Sequence, residues 1–229
     1  MDVDSEQSLR NISSSDTIHL TDDIEITSSF DSIKSFSGTI DGNGHTISGL
    51  DTCFIKYITE VGQIKNIQFE DISLTDEQGI FKENNGIIKS VSVLNLIKDE
   101  GQLSCGGLVF KNKGVIDSCS VQDSIINVIA DGVGGICAEA CQDSEIRNCS
   151  SKNLSLYGEE YVGGIVGQLE ENSSIKNSTV TDSEIKGIKF ISGIVSESKA
   201  SDIVDVTVEG SRIDSDSNCS GILCTGYDN

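Results

Sequence analysis

Gly163-Gly164-Ile165-Val166-Gly167 is the stretch from which the fold can be read, because a small-Gly-aliphatic-aliphatic phrase returns at near-constant distance on both sides of it. The other copies are Gly106-Gly107-Leu108-Val109, Gly134-Gly135-Ile136-Cys137, Ser192-Gly193-Ile194-Val195 and Ser220-Gly221-Ile222-Leu223. Their second residues fall at 107, 135, 164, 193 and 221, spacings of 28, 29, 29 and 28, and Gly79-Ile80-Phe81 fits one step earlier. A register held over six phrases is the signature of a repeat architecture.

Between these phrases lies a second one: Ile64-Lys65-Asn66, Ile88-Lys89-Ser90, Ile116-Asp117-Ser118, Ile146-Arg147-Asn148, Ile175-Lys176-Asn177 and Ile203-Val204-Asp205. A third segment ends near Ile72, Ile125, Leu154, Ile185 and Ile213. Each period thus holds three short β-prone pieces separated by Ser, Asn, Asp or Gly, which predicts a coil with three faces. Such pieces are too short to be stable alone, but stacking each on its counterpart one period later pairs every backbone about 4.8 Å along an axis.

Stacking also lines equivalent side chains into ladders. Leu108, Ile136, Ile165, Ile194 and Ile222 are all branched aliphatics, as an inward ladder requires. Asn66, Ser90, Ser118, Asn148, Asn177 and Asp205 are the polar counterpart, and Asn and Asp tolerate left-handed turn geometry. The recurring Gly marks a bend or a close backbone approach. A leucine-rich-repeat or helical solenoid is the competing repeat class, but Gly-rich, β-branched phrases argue against helices. The expectation is an all-β, three-faced parallel β-helix of seven or eight coils, about 35 Å long.

The expected division is 1–50 as an N-terminal cap with the first coils and 51–229 as continuous repeats. Thr17 to Ile26 alternates like a strand pair, and Phe36 to Leu50 reads as two strands around the Gly42-Asn43-Gly44 turn. Residues 1 to about 14 read as a loose or capping segment. The abrupt Tyr227-Asp228-Asn229 suggests a capping coil or flanking domain beyond it, since an uncovered coil leaves an edge that can pair with other chains.

Composition supports strands and tight turns: 23 Gly, no Pro and no Trp in 229 residues. The 37 acidic against 16 basic side chains give a net charge of −21, which repels nucleic-acid backbones and anionic lipid. The acids are scattered and read as a solvated surface. No apolar run approaches the roughly 18 residues of a membrane span, so membrane insertion is not expected. Met1-Asp2-Val3-Asp4 lacks the features of a signal peptide, although a mature exported protein would lack one too.

Taken together, Phe36 to Leu50, Gly163 to Gly167 and Ile175 to Ser178 resemble the GLUG-type repeats of large bacterial and archaeal surface proteins. These include adhesins and the non-catalytic regions of immunoglobulin-A-cleaving peptidases, and the resemblance extends over most of residues 36 to 224. It implies a secreted or cell-surface β-helix, one part of a longer chain with further domains, acting as a rigid binding or stalk module for a protein or glycan ligand on a cell surface. The sequence departs from the pattern in its eight Cys and in Phe110, Ala138, Ser196 and Cys224, which replace the final Gly of the phrase.

Chemistry-bearing residues have bland explanations, and no catalytic, cofactor or metal site is assigned. Cys105 and Cys219 occupy the position of Val133, Val162 and Ile191, while Cys137 replaces Val166 or Val195, so these read as small buried hydrophobes. Cys119 and Cys149 share one position in consecutive coils, either a reduced core ladder or a disulfide. His45 near Asp41 reads as an exposed His at a turn. The alternative function, a polysaccharide-active lyase or hydrolase, would rest on Arg147 with Glu145, Asp117 and Asp143, a set that reads more simply as surface ion pairs. Asp123 and Asp182, with Glu209 one step out of register, could bind calcium, but Asn153 interrupts the column. Thr179 and Thr181 do not extend into the regular Thr array of an ice-binding helix, because the matching positions hold Ser120, Ser150 and Thr207, and Gln122, Lys152 and Glu209.

Overall fold

The computed structural model describes residues 1–75 and 78–227; the Asp228-Asn229 end lies outside the described residues. The chain is a parallel β-solenoid of about 7 turns with a period of about 28 residues. Its clearest face is a seven-stranded sheet that stacks Ile55–Ile58, Phe81–Asn84, Val109–Asn112, Cys137–Ala140, Val166–Leu169, Val195–Lys199 and Leu223–Tyr227. The remaining strands join into one continuous sheet that wraps the rest of each coil. The sequence columns are the true register: Ile88, Ile116, Ile146, Ile175 and Ile203 lie one above the next.

Leu108, Ile136, Ile165 and Ile194 are wholly buried, and each such side chain contributes about 1.5–3 kcal/mol of hydrophobic stabilisation. Ile222, expected in the same inward ladder, is 44% exposed because no described coil lies over it. For the same reason Cys219, expected to be buried like Cys105, is exposed. Position in the stack, not residue type, decides both.

The corner column is a backbone fact. Asn66, Ser90, Ser118, Asn148, Asn177 and Asp205 all have φ between +49° and +57°. A second left-handed column, Asp71, Asn95, Asp123, Asn153, Asp182 and Gly210, separates Ser150–Lys152 from the strand beginning at Ser155 and does the same in its neighbouring coils. This second corner corrects the expected third segment. Ile72 and Leu154 follow that corner and point inward, Ile125 pairs with Ile97 and Ser155 on the outside, and Ile185 pairs with Leu156 and Ile213 in yet another column. Coils of slightly unequal length had blurred three columns into one.

The recurring Gly is explained by close approach. A Cβ on Gly107, Gly135, Gly164 or Gly193 would lie 2.1–2.3 Å from the carbonyl oxygen of the glycine one coil further on, so no side chain fits. Gly42 and its neighbours make a turn as expected, but the strands on either side do not pair with each other as a hairpin. Thr39–Asp41 and Thr46–Ser48 each pair in parallel with strands of adjacent coils. Thr17–Leu20 and Ile24–Glu25 likewise pair with Thr39–Asp41 and Thr46–Ser48, and not as a strand pair of their own.

The N-terminal end is closed. Asp2–Val3 pairs with His19 and Leu20, and the helix Glu6–Arg10 carries a Ser5/Ser8 capping box and buries Leu9. Below it sits an aromatic cluster in which the Phe54 ring lies 5.7 Å from Phe30 and 5.4 Å from Phe69. Arg10 lies over the Phe30 ring and binds Glu6, tying the helix to this core. Among the described residues no helix is long and apolar enough to cross a membrane.

Candidate binding surface

The outward sides of the strands following the second corner carry the feature least expected of a solvated acidic surface. Ile97 and Ile125 are register partners and both are exposed, as are Ile129, Tyr157 and Ile188 on the same run of strands. Singly exposed aliphatics are ordinary, whereas a group of them on one side of a molecule marks a contact surface. Ile129 is 60% exposed and Tyr157 38%.

A polar column runs through this surface: Asp99, Asn127, Tyr157 and Lys186 follow one another in register. The Asn127 amide donates to the Asp99 carboxylate at 3.3 Å. The chain then leaves the regular path at Glu100 and Gly101, whose φ values are +100° and +127°. Two backbone bonds, Glu100 N–H to Asn127 O at 2.9 Å and Ile129 N–H to Gly101 O at 2.8 Å, fasten this excursion to the next coil. It borders an open groove of about 450 Å³ lined by Asp99, Gln102, Asn127, Val128, Ile129 and Tyr157. A ring and aliphatic side chains beside a carboxylate and amides can hold a flat apolar face while binding hydroxyls or amines.

Beneath the excursion, Lys98 is completely buried in the column of Ile126, Leu156, Ile185 and Ile213, and its ammonium donates to the Thr75 carbonyl. Its only mark in the sequence is a Lys standing in an aliphatic column. A second interior polar feature was also missed. Asn84 and Asn112, both fully buried, stack with Asn84 Nδ2 donating to Asn112 Oδ1 at 2.7 Å, and each Oδ1 accepts the N–H of the Gly two residues on. The spacing of Asn84-Asn85-Gly86 and Asn112-Lys113-Gly114, one period apart, was the available clue.

The alternative catalytic set is brought together only in part. Arg147 binds both Glu145 and Asp117, the latter at 3.1 Å. Asp117 sits in register between Lys89 and Arg147, so a ladder of opposite charges accounts for the cluster. Burial opposes ionisation of Asp117, but hydrogen bonds from Asn148, Ser118 and Arg147 outweigh it and hold the carboxyl below its ordinary range. That is the opposite of the raised value a general acid needs. Asp143 is a corner residue with φ +62° whose N–H binds Glu171 O.

The acidic column considered for calcium is the second corner. Asn153 Nδ2 donates to Asp123 Oδ1 at 2.6 Å and Asn95 Nδ2 to Asp71 Oδ1 at 3.1 Å, so amides of the next coil occupy these carboxylates. Gly210 completes the column, and Glu209 lies one step out of register with Asp182 as expected. The Ser120, Ser150, Thr179 and Thr207 column is in register as expected. Cys119 and Cys149 are buried free thiols, each donating to a backbone carbonyl, of Asp117 and Arg147 respectively; burial and the neighbouring Cys149 push the Cys119 thiol well up. His45 faces Asp23 at 3.3 Å instead of Asp41, which binds Asn43, Asn66 and Lys65.

No curated protein matches this chain. By structure it is similar to a candidate immunoglobulin A1 protease from Bacteroides ovatus, with a TM-score of 0.55 and 18% identity over 92% of this chain and 74% of that one. At that identity the likeness establishes the shared fold alone. By sequence, residues 158–185 match the GLUG motif, one period of a solenoid whose other coils repeat the same backbone plan.

Proposed function

We propose that this chain is a rigid, non-catalytic recognition module that holds a glycan or polypeptide ligand against the Ile97–Tyr157 side of the solenoid. The observation that carries the reading is the concentration of exposed Ile97, Ile125, Ile129 and Tyr157 around the Asp99–Asn127 pair. Burying that much apolar area on a ligand is favourable, and the carboxylate and amide supply orientation. The stacked coils suit the task, because a continuously hydrogen-bonded scaffold holds its surface pre-organised and loses little freedom on binding.

The likeness to the GLUG motif and to a candidate protease of immunoglobulin A1 supports placing the module in a secreted or cell-surface protein, alongside further domains. The polysaccharide-cleaving alternative is disfavoured by an Arg147 already committed to Glu145 and Asp117.

The test is a glycan array together with a panel of extracellular host proteins, probed with the native chain and with Tyr157→Ala, Ile129→Asp and Arg147→Ala. Binding that falls at least about tenfold in the first two variants and persists in the third supports the reading. Release of unsaturated or reducing ends from acidic glycans, lost in Arg147→Ala, would replace it with the enzymatic one.

A further inference from the structure

Left-handed backbone falls on small polar residues almost everywhere in this chain, and two large side chains break that rule. Among the described residues other than glycine with positive φ, nearly all are Asn, Asp or Ser, whereas Tyr161 and Phe190, both at +56°, are aromatic. A bulky side chain in this region is strained, and such strain gathers where a surface is shaped for a ligand. The two residues occupy one corner of consecutive coils, because Val162 and Ile191 are register partners and each follows that corner by one residue. Their rings are stacked, with centroids 5.4 Å apart and planes 15° apart. The Lys189 ammonium lies 4.6 Å from the Phe190 ring centroid and reaches back to Glu160 at 3.5 Å, which holds the pair in place. Both aromatic residues remain partly exposed.

In the preceding coil the same corner is Gly132, also left-handed at φ +80°. Crowding does not demand this glycine: a Cβ there would meet nothing closer than 3.6 Å, against 2.1 Å at Gly135. The aromatic column is therefore one ring short, on the side of Tyr161 away from Phe190. Successive coils lie about 4.8 Å apart, which matches one flat ring stacked on Tyr161. The atoms nearest to where a Gly132 side chain would start are Ser104 Oγ and Gln168 Oε1, at 3.6 and 3.7 Å. The Ser104 hydroxyl donates to the Asp131 carbonyl and the Gln168 amide N–H to Glu197 at 2.9 Å, so both oxygens face the position as acceptors. A ring entering here must offer an apolar face to Tyr161 and hydrogen-bond donors at its edge. Pyranose hydroxyls supply several such donors and a phenylalanine edge none, while Asp131, Glu159 and Glu160 in the adjoining chain repel an acidic sugar. We infer that Gly132, Tyr161 and Phe190 form a subsite for one neutral pyranose ring, stacked on Tyr161 in the layer of Gly132 with its hydroxyls on Gln168 and Ser104. The subsite shares no residue with the Ile97–Tyr157 side and does not rest on the reading proposed for it.

The experiment follows the Tyr161 and Phe190 ring signals of the isotope-labelled chain by NMR while methyl β-glucoside, methyl β-galactoside or methyl β-N-acetylglucosaminide is added to about 50 mM. At least one of the three is expected to shift both rings saturably with a Kd of about 1–10 mM, and methyl β-glucuronide to bind at least about threefold more weakly. Tyr161→Asn, which suits the left-handed backbone, should weaken that binding at least about tenfold, read on the Phe190 ring. Gly132→Asn fills the missing layer with Tyr161 still in place, and an equal loss there separates blocked contact from disturbed folding. Tyr157→Ala should leave the binding unchanged. No saturable shift from any neutral glycoside, full binding in Gly132→Asn, loss of binding in Tyr157→Ala alone, or tighter binding of acetyl-tyrosine amide than of every sugar would each overturn the inference.

Discussion

The two ends of the solenoid are built from the same coil and finished in opposite ways. At the N-terminal end, Leu9 and the Phe30–Phe54–Phe69–Phe81 cluster are buried under a capped helix. At the C-terminal end, Ile222 and Cys219 occupy columns whose other members are buried, yet both are exposed. The contrast teaches that a column residue has no fixed energetic meaning. Its contribution comes from the coil laid on it, as expected of a nearly one-dimensional fold whose stability resides in neighbour interfaces.

The sharpest way to break this contrast is a side chain in the interior glycine column. Gly164→Val places methyl groups where the Gly193 carbonyl stands, and the chain is expected to lose more than about 4 kcal/mol or fail to fold, measured by urea denaturation followed by circular dichroism. Truncating the aliphatic ladder should come next. Ile165→Ala is expected to cost about 2–5 kcal/mol, and Ile222→Ala less than about 1 kcal/mol; equal losses would show that position in the stack does not govern the ladder. At the covered end, Ser5→Ala removes one half of the capping box and should cost about 1 kcal/mol in the same measurement.

Two smaller effects sharpen the picture. Hydrogen bonds from Arg10 and then from Thr27 lower the Glu6 carboxyl from 4.5 to about 2. Because the folded value is depressed, its stabilisation is complete above about 4.5 and is lost as pH falls towards 2. Glu6→Gln should therefore flatten the acid limb of the melting curve between those values, and an NMR titration midpoint near the ordinary Glu value would contradict the contact. Thiol labelling of the native chain should modify Cys219 rapidly, while Cys105, Cys119, Cys137 and Cys149 react only on unfolding. Burial pushes the Cys105 thiol up to about 12 and the Cys119 and Cys137 thiols well above their ordinary value, so little thiolate is available to attack.

Much of the architecture was legible because the pattern repeats. Ile136, Ile165 and Ile194 could be placed in one inward column by spacing alone, and Asn148 and Asn177 at one corner by residue type, and both placements hold. The third segment was misassigned because Ile125 and Ile185 differ in register by one residue, and in a strand one residue exchanges inside for outside. The binding surface was not legible. Tyr157, Asn127 and Asp99 are ordinary strand residues in sequence, separated by about a period each, and only the excursion at Glu100-Gly101 places their column beside an open groove.

By itself, the sequence determined that coils stack and that the aliphatics of the glycine phrase face inward, because these follow from spacing and side-chain size, which any register-preserving stack must satisfy. Only the tertiary structure decided which acids neutralise which cations, where Lys98 and the Asn84–Asn112 pair are buried, and which columns lie open at the end. Those outcomes depend on what each residue meets in the next coil, about 28 positions away, and a local reading of residue types carries no information about that neighbour.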